Sequence, residues 1–150
     1  MPTIYDVLPD ELIDTVAGKL KDKKNNPGVE PIVPPKDAIH WKTASFKEFP
    51  PMDEENFWYM RAASILRKLY SKTLGVNRLK RAYGGRSKNH VHLKHYLPGS
   101  GAIVRRILQQ LEDAKLVKKT EKNGRALTNA GRSLLDKSAA EILKKERPQP

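Results

Sequence analysis

The feature that most constrains this chain is an apolar stripe near its middle. Between residues 53 and 73, Trp58, Ala62, Ile65, Leu66, Leu69 and Thr73 recur at spacings of four, three, one, three and four. That period gathers all six on one side of an α-helix and on neither face of a strand. Asp53 stands where a capping side chain is favoured, and Glu54 and Glu55 follow in the expected first turn. Gly75 stops the run. The spacing therefore predicts the longest helix of the chain over 53–73. Its buried face demands other elements packed against it, which makes it the centre of the fold.

The remaining segments supply those elements. Residues 10–23 place Leu12, Ile13, Val16, Ala17 and Leu20 on one helical face, and Asn25-Asn26-Pro27-Gly28 ends that helix. Pro27, Pro31, Pro34 and Pro35 make the next stretch an extended connector. Asp37 is expected to cap a short helix carrying Ile39 and Trp41. After Gly75, a short helix around 76–83 turns Val76, Leu79 and Tyr83 inward. A basic loop over 84–99 follows, with a short extended piece expected near Val91–Leu93. Ser100 is read as the cap of a helix over 101–115, whose core face is Val104, Ile107, Leu108, Leu111 and Ala114. Leu116–Thr120 and Arg125–Thr128 read as two strands joined through Asn123-Gly124, a strong hairpin-turn signal. Asn129 is read as the cap of a last helix carrying Leu134, Leu135, Ser138 and Ile142. The final residues, 146–150, are expected to fray.

From residue 53 the order is helix, short helix, helix, hairpin, helix. That is the order of a winged-helix domain, in which three helices share one core and the hairpin projects as a wing. The fold class is therefore mainly α with a small β-hairpin: a winged-helix-like core around a long central helix, plus N-terminal and C-terminal helices. At 150 residues the chain is read as one domain, 1–150. Within it, 1–52 braces the core, 53–145 forms the core and 146–150 is the tail. DNA-binding relatives of this architecture join their second and third helices by a turn of about three or four residues. Here that link, 84–99, is long and rich in Arg, Lys and His. It obstructs insertion of the third helix into a major groove and suits an irregular RNA surface.

Charge points the same way. Lys and Arg number 29 against 17 Asp and Glu, a formal excess of +12. Residues 1–60 carry 7 basic and 11 acidic side chains, residues 61–125 carry 17 and 3, and residues 126–150 carry 5 and 3. The excess thus sits in the middle of the chain, where a solvated surface would mix the signs. A one-signed block of this size is the electrostatic footprint of a polyanion partner, and counterion release makes a phosphate backbone the natural one.

Several other functions are excluded or unsupported. With no cysteine, there is no disulfide scaffold, thiolate zinc site, iron–sulfur cluster or cysteine nucleophile. The acidic N-terminus lacks the basic start and apolar run of a signal peptide. No apolar stretch approaches the ~20 residues that span a bilayer. The expectation is a cytoplasmic protein without a membrane partner, monomeric when isolated. No P-loop or HExxH pattern is present, and Ser100 has no evident His–Asp partners. His90, His92 and His95 have metal-like spacing, but their neighbours are cationic and RNA stacking or ordinary loop chemistry fits them better. No catalytic residue, cofactor or metal is expected.

Candidate RNA-binding residues follow from placement. Arg105 and Arg106 lie just inside a helix start formed by Pro98-Gly99-Ser100-Gly101, where backbone N–H groups attract phosphate. Arg86 and Lys88 lie beside Gly84-Gly85, which permit close backbone approach. Lys119, Lys122 and Arg125 tip the wing. Arg61 and Lys68 lie off the apolar stripe and suit phosphate, although Arg61 also stands within pairing range of Glu54 and Glu55. Arg67 is nearer the buried edge and reads equally as a phosphate contact or as a structural residue holding carbonyls or a carboxylate.

The runs FKEFPPMDEENFWYMRAASILRKLY (46–70), YGGRSKNHV (83–91), SGAIVRRILQQLE (100–112) and GRALTNAGRSLLD (124–136) closely resemble one family. It is the eukaryotic and archaeal small-subunit ribosomal protein family S-nineteen-e, unrelated to the bacterial small-subunit protein sharing that number. The opening YDV (5–7) and the stretch around Trp41–Thr43 fit as well, so the resemblance covers nearly the whole chain. It implies a place in the head of the small subunit, contact with small-subunit ribosomal RNA and neighbouring ribosomal proteins, and, in eukaryotes, a part in small-subunit RNA maturation and subunit assembly. By motif it assigns functional roles to Arg61, Arg67, Arg86, Arg105 and Arg106. The short, lysine-poor tail looks archaeal.

Overall fold

The structure is a computed structural model, and it describes residues 1–22, 32–88, 91, 93–122 and 124–146. The apolar stripes become five helices: α1 (Pro9–Lys21), α2 (Phe57–Ser71), α3 (Val76–Ala82), α4 (Gly101–Asp113) and α5 (Asn129–Glu146). Between α1 and α2 the connector makes one 3-10 turn, Lys36–His40. Two antiparallel pairs complete the fold, β1 (Gly85–Arg86) with β2 (Tyr96–Leu97) and β3 (Val117–Thr120) with β4 (Gly124–Leu127). The fold is mainly α with small hairpins, as expected.

One core unites the helices. Leu12 and Val16 of α1, Ile65 and Leu66 of α2, Ile107, Leu108 and Leu111 of α4 and Leu135 of α5 are each fully buried in it. α1 lies on α2 and α5, α3 lies on α4, and β4 lies on α2. Leu74, between α2 and α3, exchanges both backbone hydrogen bonds with Arg125, at 3.1 and 3.0 Å. It thereby adds a single-residue rung to the outer edge of β4. Helix, rung, helix, helix and wing in this order are consistent with a winged-helix-like core.

Several boundaries differ from the sequence reading. α2 begins at Phe57, because Asp53 holds a separate turn: its carboxylate accepts from Asn56 N at 3.3 Å and from Asn56 Nδ2 at 3.1 Å. At 15 residues α2 is shorter than α5, with 18, so the longest helix is the last one, and Thr73 is exposed beyond the end of α2. Asp37 lies inside the 3-10 turn and caps nothing, and Ile39 is exposed. Ser100 takes the N-cap position of α4 without a side-chain bond. α5 is capped by Thr128, not Asn129: Thr128 Oγ1 accepts from Gly131 N at 3.2 Å. The extended piece of the 84–99 loop is the β1–β2 pair, not Val91–Leu93; Val91 and Leu93 are exposed and outside any strand. Asn123, part of the Pro-rich connector and the tail beyond Glu146 lie outside the described residues.

α4 ends in a turn made without glycine. Lys115 takes a left-handed φ of 59°, and its N–H bonds Glu112 O at 2.9 Å while Leu116 N–H bonds Leu111 O at 3.0 Å. These paired bonds form a Schellman motif, which aims the chain from α4 directly into β3.

Candidate nucleic-acid interface

The connector before α2 is a strap along α4. Ser100 N–H donates to Thr43 O at 2.7 Å, and Ala44 bridges Gly99. Farther along, Arg106 stacks over Trp41 at 4.9 Å, and Trp41 packs on Trp58 at 6.3 Å. At the other end Gln110 accepts from Trp58 Nε1 at 2.8 Å and donates to Val33 O at 2.7 Å. The strap covers one flank of α4 and leaves Ala102, Arg105 and Gln109 exposed beside it.

Where the strap meets the start of α4, an open groove of about 580 Å³ forms between His40–Lys42, Lys80 and Pro98–Ala102. Among the described residues, no carboxylate lines it. Lys80 enters because α3 packs on α4: its backbone O accepts from Gly99 N at 2.9 Å, and its side chain runs past Gly101. Arg105 and Arg106 are exposed one turn farther on, and among the described residues neither forms an ion pair. Sequence reasoning reached Arg105 and Arg106 from the helix start. It missed Lys42 and Lys80, which are distant in the chain and meet only through the strap.

Arg61 and Lys68 share a second cluster. Arg61 lies over the Tyr83 ring at 3.9 Å and the Phe57 ring at 5.1 Å, and Lys68 lies over Tyr83 at 5.3 Å. Tyr83 donates to Ser64 Oγ at 2.8 Å, tying α3 to α2. Burial pushes the Tyr83 phenol up from its ordinary value and the Arg61 guanidinium down. Arg61 thus stacks on aromatic rings, and among the described residues it forms no ion pair with Glu54 or Glu55. Arg67 is half-buried, and its Nε has no hydrogen-bond partner among the described residues.

Arg86 and Lys88 are exposed on the β1 side of the first hairpin. That hairpin is held at its base. Ser87 N–H donates to His95 O at 3.1 Å, and Tyr96 Oη donates to Arg81 O. Gly84 is required there, since a Cβ would strike Leu97 O and the Tyr96 hydroxyl. His90 and His92 lie outside the described residues. Among those described, no cluster of His, Cys, Asp or Glu could hold a metal ion.

On the wing, Lys119 and Arg125 are register partners, but their side chains differ in situation. Lys118, Lys119 and Lys122 are exposed. Arg125 is largely buried and pairs through Nε with Glu112 Oε1 at 2.6 Å. It fastens the wing to α4. Among the described residues, no helix is long and apolar enough to cross a membrane.

Comparison with known proteins places this chain in a class, the ribosomal proteins. The chain matches the family described as Ribosomal protein S19e over residues 3–145. It is 43% identical to the small ribosomal subunit protein eS19 of Aeropyrum pernix, covering 99% of this chain and 97% of that one. It is 41% identical to the protein of that name from Haloarcula marismortui, over 99% and 97% of the two chains. To that of Oryza sativa it is 39% identical, over 93% and 92%. The chain belongs to the ribosomal protein S19e family.

Proposed function

We propose that this chain is a structural component of the small ribosomal subunit, in its head, that binds small-subunit ribosomal RNA through the basic surface of residues 76–122. The observation that carries this reading is the groove at the start of α4, lined by Lys42 and Lys80 and by no carboxylate among the described residues, with Arg105 and Arg106 exposed beside it. Lys80 and Lys42 extend that surface, and Arg86, Lys88 and Lys119 continue it on the two hairpins. Such a spread of cations positions a phosphate backbone and reads shape, not a base sequence. Arg61 and Lys68 support it from the Tyr83 stack, Arg67 from inside α2 and Arg125 as the anchor of the wing. The strap along α4 also argues against a second reading, a winged-helix regulator that binds DNA, because it occupies a flank of the helix that would enter a major groove. Neighbouring ribosomal proteins are the other partners, and the role extends to maturation of small-subunit RNA and assembly of the subunit. No step of catalysis is involved.

The test is sedimentation of a lysate from the native source at low and high salt. The chain is expected to travel with the small subunit and to stay there into moderately high salt. Migration as free protein, or with chromosomal DNA, would overturn the assignment. In a purified system Arg105→Glu is expected to weaken RNA binding about tenfold or more while the circular dichroism spectrum is unchanged. Unchanged affinity would remove the α4 site.

A further inference from the structure

Four of the acidic residues, Asp14, Asp53, Glu54 and Glu55, share a surface around the start of α2. Two grooves flank the start of α2 and join at Lys21 and Tyr59. One, of about 450 Å³, runs over Pro34, Ile39, Phe57 and Trp58, with Glu54 and Glu55 on its rim. The other, of about 370 Å³, runs between α1 and α2 over Ala17, Gly18 and Met60, with Asp14 and Asp53 on its rim. Together they form one trough with an apolar floor and four carboxylates. Lys21 and Lys36 are the cations along it, and the Lys21 ammonium donates to Asn56 Oδ1 at 2.9 Å. Among the described residues, no ion pair engages Asp14, Asp53, Glu54 or Glu55. Ile39 and Met60 stay partly exposed, at 46% and 36%, and a Cβ built at Gly18 would meet nothing within 4 Å.

We propose that this trough is a docking site for an extended, basic protein segment carrying aliphatic side chains, from a protein neighbour in the particle. The inference rests on the reading of the chain as a component of an RNA–protein particle. Charge complementarity selects the occupant. The carboxylates on the rim repel an RNA backbone, so the polyanion that suits residues 76–122 is excluded here. A cationic chain is attracted by the same groups, and its aliphatic side chains cover the apolar floor. An acidic peptide meets the repulsion that RNA meets.

The probe is a synthetic peptide alternating Lys and Leu, with its Glu/Leu counterpart as control, each titrated into the full-length isotope-labelled chain and followed by NMR. The Lys/Leu peptide is expected to shift the amides of Gly18, Lys21 and Tyr59, and the Glu/Leu peptide is not. Two variants test the site by different routes. Glu54→Lys/Glu55→Lys reverses the rim charge. Gly18→Leu adds a side chain over the floor, where a Cβ at Gly18 meets no atom within 4 Å and leucine favours the helix. Each is expected to weaken the Lys/Leu peptide about tenfold. An RNA hairpin titrated in parallel should bind Gly18→Leu as it binds the parent chain and Glu54→Lys/Glu55→Lys at least as tightly, and should lose affinity only for Arg105→Glu. Shifts confined to other surfaces, equal binding of the two peptides, unaltered affinity of both variants, or an RNA response in the trough itself would each overturn the proposal. Normal RNA binding by Arg105→Glu would instead count against the RNA site and leave the peptide result standing.

Discussion

Among the described residues, two take the left-handed backbone region, and they invite opposite substitutions. Gly124 opens β4 at φ +91°, and a Cβ there would lie 2.7 Å from the backbone of Gly75. Gly124→Ala is therefore expected to cost about 2 kcal/mol, read as a lowered urea midpoint, because both the dihedral and the close backbone are violated. Lys115 holds its φ of 59° with a side chain that glycine would dispense with. Lys115→Gly is expected to raise stability by about 1 kcal/mol in the same assay; a loss would show that the lysine stem contributes packing. Tyr83 gives a pH signature. Its folded phenol is raised above the ordinary value of 10.0 by burial. The sign follows: the neutral form is favoured on folding, so this stability is complete below the unfolded value and is lost as pH rises through the folded one. Denaturation followed from pH 9 upward should show a fall that is shallower in Tyr83→Phe; an identical fall in both would place the titrating group elsewhere. Asn129 shows a limit of reading residues one by one. It has the right chemistry for a cap, but Thr128 wins because its hydroxyl also donates to Lys115 O and Leu116 O, each at 2.9 Å, where α4 turns into β3.

At the scale of elements, what could be read from sequence was what is periodic. Each long helix carries its own apolar stripe, and the wing has its turn signal, so their existence and order followed from local pattern. The β1–β2 pair had no such signal. It is two residues on each strand, set by contacts made at a distance: Tyr96 onto Arg81, and Phe46 against Gly85. The start of α2 was misplaced for a related reason, since Asp53 caps a turn of its own and the helix proper begins beyond it. Among the candidate basic residues, a tip position on the wing gave no means of separating Lys119 from Arg125. Partner identity separates them, because Glu112 on α4 faces the arginine alone. The Arg125–Glu112 pair has most of its side-chain surface buried, and a double-mutant cycle is expected to yield a coupling of about 1 kcal/mol in folding stability. A coupling near zero would mean that the wing is held by its backbone bonds to Leu74 and by β4 packing on α2.

The whole molecule separates its charges along the chain. Its acids gather on the first sixty residues, around α1 and the start of α2, and its surplus cations on α3, the hairpins and the start of α4. The strap joins the two, bringing Trp41 and Lys42 from the acidic first sixty residues onto the basic helix. This is why the groove at α4 was only half legible: Arg105 and Arg106 announce a helix start, but their companions arrive through tertiary structure. Such a polarised surface makes a quantitative demand on binding. RNA association driven by phosphate neutralisation falls with salt, and each contact contributes about 0.7–0.9 to the slope of log K against log salt. Arg105→Ala should therefore flatten that slope by about this amount. Arg125→Ala, whose guanidinium is already neutralised by Glu112, should leave the slope nearly unchanged while lowering stability. Filter binding of a small-subunit RNA fragment over a series of salt concentrations separates the two. If Arg125→Ala flattens the slope as much as Arg105→Ala does, the wing arginine leaves Glu112 for phosphate on binding, and the pair is a switch engaged by RNA. If neither changes it, the energy of association does not lie in the basic surface at all.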